Sequence, residues 1–131
     1  MKTIELLKTF EDACAVEGLN PKEVLPDFKN CKLPAEEIKA LEAHAKLIIV
    51  VSAANRIDND GEKWNPDWTD GNWKYEPWFV MDEGSSGFRF HDCGGWRTGS
   101  GVGSRLCFKS ENVGEYIANQ FIDLYRDYFM K

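Results

Sequence analysis

A chain of 131 residues with 43% hydrophobic and 13% aromatic residues has the composition of a single globular domain, not of a disordered segment. Its formal charge of −6 and pI near 4.9 exclude the basic footprint of a sequence-independent nucleic-acid binder and disfavour attraction to anionic lipid. The longest apolar run (LIIVV, 47–51) is far short of the roughly 20 residues of a membrane span, and the first residues lack a signal peptide's apolar core, so a cytoplasmic protein without a membrane partner is expected.

In chain order, Ile4, Leu7, Phe10 and Cys14 share one face of a predicted helix over 4–16, and Gly18 is placed to stop it in the left-handed conformation. Asn20-Pro21-Lys22-Glu23 has the form of a capping box opening a short second helix that must end near Pro26. A third and longest helix starts at Pro34, with Glu36 and Glu37 in its positive first turn and Ile38, Leu41, Ala45 and Ile48 at helical spacing. The 47–51 run alone would suit a buried strand, but its setting in EAHAKLIIVVSAANRI favours helix. His44 falls on this helix and is expected to be a surface or satisfied core group. The DNDG run at 58–61 is not a calcium loop, because the first ligand position would fall on Arg56.

Alternation then replaces helical spacing. A strand is predicted near 78–82, with Pro77 confining its start to an edge, then a turn at 84–87 and a second strand at 88–92. A glycine-rich loop at 94–104 leads to a third strand at 105–109, and the three are expected to form an antiparallel meander. Ser110 caps a final amphipathic helix with Val113, Ile117, Phe121, Leu124, Tyr125 and Tyr128 on one face. The expectation is one α+β domain over 1–131: N-terminal helices, a short three-stranded meander and a long C-terminal helix.

The pattern WNPDW…WKYEPWF, then a glycine/serine loop, SRLCFKS and EYIANQFIDLYRDYF, resembles a set of small uncharacterised proteins from gut Bacteroides-type bacteria and their phages or prophages. The resemblance spans roughly residue 47 to the C-terminus; its tryptophan pattern is specific, its helix generic. It implies that helix, loop, meander and helix form one domain, and it implies a cytosolic, phage-derived accessory protein. That set has no assigned activity, so the resemblance transfers no catalytic residue.

Four of the five tryptophans lie in 64–79, inside a stretch (58–92) with nine acids and three bases, a difference equal to the whole net charge. Trp64, Trp68, Trp73 and Trp78 with Asp67 and Asp70 have the chemistry of a stacking and cation-accepting surface, or of rings that pin a long loop to the core. Trp96, Arg97 and Arg105 flank the glycine loop, whose amides can form an anion nest; the loop lacks the Gly-Lys-Ser/Thr of a phosphate loop, and no cofactor is expected. Arg105 is also suited to pair with an acid of 58–92. His91, Cys93 and Cys107 are a weak metal candidate without zinc spacing; Cys14, Cys31, Cys93 and Cys107 otherwise read as buried thiols.

The favoured function is a non-catalytic binding or interaction module whose partner is a protein with a basic face. The alternatives are a small-molecule or carbohydrate enzyme with paired carboxylates among Asp67, Asp70 and Glu76, and an accessory protein of phage nucleic-acid metabolism, which the charge disfavours.

Overall fold

The computed structural model describes residues 3–67, 72–81, 87–96 and 106–130. Its elements are a 3₁₀ turn (Ile4–Leu6), α1 (Phe10–Glu17), α2 (Ala35–Asp58), β1 (Lys74–Val80), β2 (Arg89–Trp96), α3 (Glu111–Gln120) and α4 (Ile122–Phe129). Helices and a two-stranded antiparallel sheet make an α+β fold.

The first helix begins later than its apolar spacing suggests because Thr9 and Asp12 form a capping box. The Thr9 hydroxyl accepts from the Asp12 amide (3.1 Å), and the Asp12 carboxylate accepts from the Thr9 and Lys8 amides (3.0 Å each). These bonds, the Lys8 amide first, hold the Asp12 carboxyl below its ordinary range. Gly18 closes α1 at φ 71°, as its position predicted. The expected second helix is only a turn: Asn20 accepts from Lys22 through its side chain and from Glu23 and Val24 through its carbonyl. Pro26 leaves too few residues between the two prolines to offset helix nucleation.

Helix α2 holds the 47–51 run as helix, and its buried Ala43, Ala53 and Ala54 let neighbouring backbones approach closely. It packs against α1 on one side and α4 on the other, while α3 covers both strands. A half-buried ion pair joins α1 to α2: Arg56 donates to Glu17 through Nε (3.4 Å) and Nη2 (3.3 Å), and the Ser52 hydroxyl donates to the same carboxylate (3.0 Å). The N-terminal segment is held by α3, where the Tyr116 hydroxyl donates to the Leu7 carbonyl (3.1 Å) and Gln120 to the Lys8 carbonyl (2.9 Å). Phe121, with φ −110° and ψ 31°, interrupts the expected single C-terminal helix, yet Val113, Ile117, Phe121 and Tyr125 remain on one buried face across the break. Ser110 occupies the N-cap position but its side chain makes no capping bond.

The sheet departs from prediction in two ways. Only β1 and β2 form strands among the described residues; the segment expected as a third strand contributes a single bridge, Tyr75 with Phe108 (3.0 and 2.7 Å). That bridge lies on the far side of β1, so β1 is central and the order of a simple meander is wrong. The segment is cut short by the start of α3 at Glu111. On its side away from β1 stands Asn55, a buried polar residue of α2, whose side chain donates to the Cys107 carbonyl (2.9 Å) and accepts from the Lys109 amide (3.0 Å), satisfying the backbone groups that Phe108's pairing with β1 turns outward. Register runs from Lys74↔Trp96 to Val80↔Arg89, with a bulge at Trp78/Phe79 that leaves His91 without an opposite residue. Because Tyr75 turns its N–H and C=O toward Phe108, alternation turns the backbone of Pro77 the same way. The missing amide of Pro77 therefore falls on the edge of β1 away from β2, an edge that among the described residues is open beyond the Phe108 bridge, and where sequence reasoning expects a proline to be tolerated.

Candidate functional site

The tryptophans that the sequence singles out are not gathered on one side of the sheet. A β-carbon on Gly94 would lie 1.7 Å from Nε1 of Trp78, and one on Gly95 would lie 2.7 Å from Cε3 of Trp73. Adjacent strand residues face opposite sides, so the two rings lie against the ribbon from its two faces, and each needs a glycine beneath it. Both rings are also exposed. Trp64 is half-buried, and Asp67 is exposed with its carbonyl accepting from Nζ of Lys74, a lysine that is itself almost wholly buried. Trp68, Asp70, Arg97, Arg105 and the Trp96 side chain lie outside the described residues, as does the proposed Arg105 ion pair.

His91, Cys93 and Cys107 do not come together. His91 is exposed at the bulge, Cys93 of β2 sits under the first turn of α3 with its thiol 3.8 Å from the Glu111 carbonyl, and Cys107 is buried across β1 from it. Among the described residues no group of three or more His, Cys, Asp or Glu could hold a metal ion. Burial, reinforced by Glu111, Asp92 and Glu115, pushes the Cys93 thiol up to about 11; burial, with Glu76 adding to it, pushes Cys107 up to about 11. Both shifts disfavour the thiolate, the form in which a cysteine acts as a nucleophile. All four cysteines are free thiols, Cys14 and Cys107 buried and Cys31 and Cys93 partly so.

The open edge of β1 presents a different site. Between it and the end of α4 runs a groove of about 230 Å³, walled by Pro77, Trp78, Phe79, Met81 and Phe129 with Glu76 at one end. Trp78, Met81 and Phe129 are 55%, 50% and 41% exposed, and all three line this one groove. Phe79 anchors its floor, stacked on Phe88 (4.8 Å) and packed on Tyr125 (4.7 Å) and Phe129 (5.7 Å).

A second hollow of about 140 Å³ continues from the groove, sharing Glu76, Pro77 and Phe129 with it. Tyr125 and Tyr128 add aromatic wall, Leu106 closes one side, and His44 reaches in from α2. The His44 ring stacks on Tyr128 at 4.9 Å. Two polar atoms of these residues are buried without a hydrogen-bond partner among the described residues: Nδ1 of His44 and the hydroxyl of Tyr125, a residue only 2% exposed. Burial drives the Tyr125 phenol well above its ordinary range, and the charges of Cys93 and Glu76 add to that.

Sequence reasoning placed Glu76 among candidate carboxylates but took His44 as a surface or satisfied core group and Tyr125 as part of an apolar face. The helical spacing of Tyr125 and Tyr128 gave the only available signal, that two hydroxyls were entering a core. Among the described residues, no helix is long and apolar enough to cross a membrane. The chain matches no family model, no curated protein and no solved structure.

Proposed function

We propose that this chain is a non-catalytic interaction module that docks a basic partner protein in the groove between the open edge of β1 and the end of α4. The observation that carries this reading is the clustering of Trp78, Met81 and Phe129, three exposed large apolar side chains, around one groove. Single exposed apolar residues are ordinary on any surface, but a cluster lining a concavity is where partners bury apolar anchors.

Charge selects the partner. The stretch that supplies four of the groove's walls also carries the chain's net −6, so a partner with a basic rim is attracted and phosphate backbones are repelled. Pro77 selects the mode of docking, because without an amide on the open edge the strand cannot add a neighbour through a regular ladder. Recognition then runs through side chains inserted into the groove. The resemblance in the tryptophan pattern supports placing this module among phage-derived accessory proteins.

The test uses fluorescence of the tryptophans while titrating short peptides that carry one aromatic or leucine anchor flanked by lysine and arginine, with acidic and neutral peptides of the same anchor as comparison. Basic peptides are expected to give a saturable change that weakens with added salt and is reduced at least ~10-fold in Met81→Asp, a loss of about 1.4 kcal/mol. Equal binding of acidic peptides, or an unchanged response in a folded Met81→Asp protein, would overturn the reading.

A further inference from the structure

We propose that the face of Trp78 turned toward Asp92 is a seat for a guanidinium group, and that the basic partner is recognised by an arginine stacked there while a neighbouring apolar side chain enters the groove. This rests on the docking reading above and names the side chain that carries its specificity.

The indole stands on edge. A β-carbon on Gly94 would lie 1.7 Å from Nε1 of Trp78 and 2.7 and 2.8 Å from the two ring atoms beside it, Cε2 and Cδ1. Near-equal distances to those two, both far longer than the first, place Gly94 beyond the Nε1 corner and in the ring plane. That corner therefore rests on the β2 backbone, and both faces of the ring stand clear of Gly94. In the register Trp78 opposes Asp92 and Glu76 opposes Gly94, so a ring running from Trp78 to Gly94 lies on the diagonal of these four positions. One of its faces looks toward Asp92 and the other toward Glu76. The groove is walled by Glu76 and not by Asp92, which leaves the Asp92 side of the ring outside it. Trp78 is 55% exposed, and Asp92 is exposed as well.

A guanidinium suits both groups at once, because its plane stacks on an aromatic face while its edge forks onto a carboxylate. Opposed residues of a strand pair have β-carbons about 4.5–5.5 Å apart, so the Asp92 carboxylate is within reach of a group stacked on the ring. It has acceptors to spare: Oδ1 takes the Cys93 amide (2.8 Å), and Oδ2 and the remaining lone pairs are left for a fork. An ammonium offers a point charge without the plane or the fork, and an anion meets Asp92 as a like charge. The nine acids against three bases of 58–92 favour the same guest. Groove and seat use opposite sides of one indole, so the arginine and the apolar anchor come from neighbouring positions of the partner.

The test follows the indole N–H signal of Trp78 by NMR, identified by its loss in Trp78→Phe. Ethylguanidinium, ethylammonium, acetate and methyl glucoside are titrated separately against the full chain. A saturable shift is expected for ethylguanidinium, at least ~5-fold weaker for ethylammonium and absent for the other two. An equal response to the ammonium or to the glucoside would overturn the assignment. Asp92→Asn is expected to weaken guanidinium binding at least ~5-fold, and an unchanged affinity in this variant of an exposed residue would also overturn it. Gly94→Ala keeps both side chains but takes away the ring's resting place; the backbone there is not left-handed, so the added methyl acts on the indole. The Trp78 signal is expected to move before any ligand is added, and binding to be lost; binding retained would refute the role of the ring's orientation.

A second arm replaces arginine in the best groove peptide by lysine or by citrulline, with a loss of at least ~5-fold expected for each. Peptides that bind equally well with lysine, together with no guanidinium shift, would sink the seat and leave the docking reading standing. A guanidinium shift that is lost in Asp92→Asn, with no peptide binding, would do the reverse.

Discussion

Replacing Asn55 with Leu removes the link between the long helix and the segment that bridges β1. The Asn55 side chain is 3% exposed and serves two backbone groups, the Cys107 carbonyl and the Lys109 amide. Cys107 is 1% exposed, so water does not replace the lost donor and the full penalty of a buried acceptor applies, about 1–3 kcal/mol. Lys109 is exposed, so its amide recovers a water partner and the loss there is nearer ~0.5–1.5 kcal/mol. Leucine fills a volume similar to asparagine's, which keeps a cavity term small. The sum is about 2–4 kcal/mol, a large part of the ~5–15 kcal/mol that stabilises a typical domain. Urea unfolding would be followed both by tryptophan emission, which reports residues 64–96, and by helical circular dichroism. With an unchanged slope of ~1–3 kcal/mol/M, a loss of ~3 kcal/mol lowers the midpoint by about 1–3 M. A loss below about 1 kcal/mol, with both probes coincident, would refute the claim that this residue satisfies the buried outward-facing backbone groups of the bridging segment.

Two further outcomes are expected. Glu17→Gln weakens the α1–α2 ion pair, whose side chains are 10% and 26% exposed; it should cost about 1–3 kcal/mol in low salt, with the gap to the wild type narrowing in high salt. Stability should also fall at alkaline pH. The Cys93 and Cys107 thiols titrate higher folded than unfolded, so their contribution is intact below about pH 9 and is lost as pH rises toward about 11. Urea midpoints for the wild type and for a Cys93→Ser/Cys107→Ala variant should converge at alkaline pH, the variant having the flatter profile; parallel profiles would show that the thiols are not the titrating groups.

What was legible in the sequence was whatever local spacing decides. Gly18, the helical state of 47–51, the edge position of Pro77 and the buried stripe from Val113 to Tyr125 all follow from periodicity or from one residue's backbone limits. Long-range contacts were not legible. Nothing in LCFKS says that a helix residue 52 positions away, Asn55, will take its carbonyl at Cys107 and tie this segment to α2 on the side away from β1. The working surface was half visible: the acidic tryptophan segment supplies Glu76, Trp78 and Phe79 to the groove, but the other wall is Phe129. His44 and Tyr125 were missed because a helical pattern reports which face is buried, and not which buried atoms lack partners.

The bonds from α3 back to the N-terminal segment also bear on how the chain folds during synthesis. Gln120 holds the carbonyl of Lys8 across 112 positions. At ~5–20 residues per second, translation separates the two by about 6–22 s, an interval in which α1 and α2 can pair with each other but the apolar face that receives α3 and α4 is uncovered. The contacts that cover this face therefore form only after α3 and α4 have emerged from the ribosome.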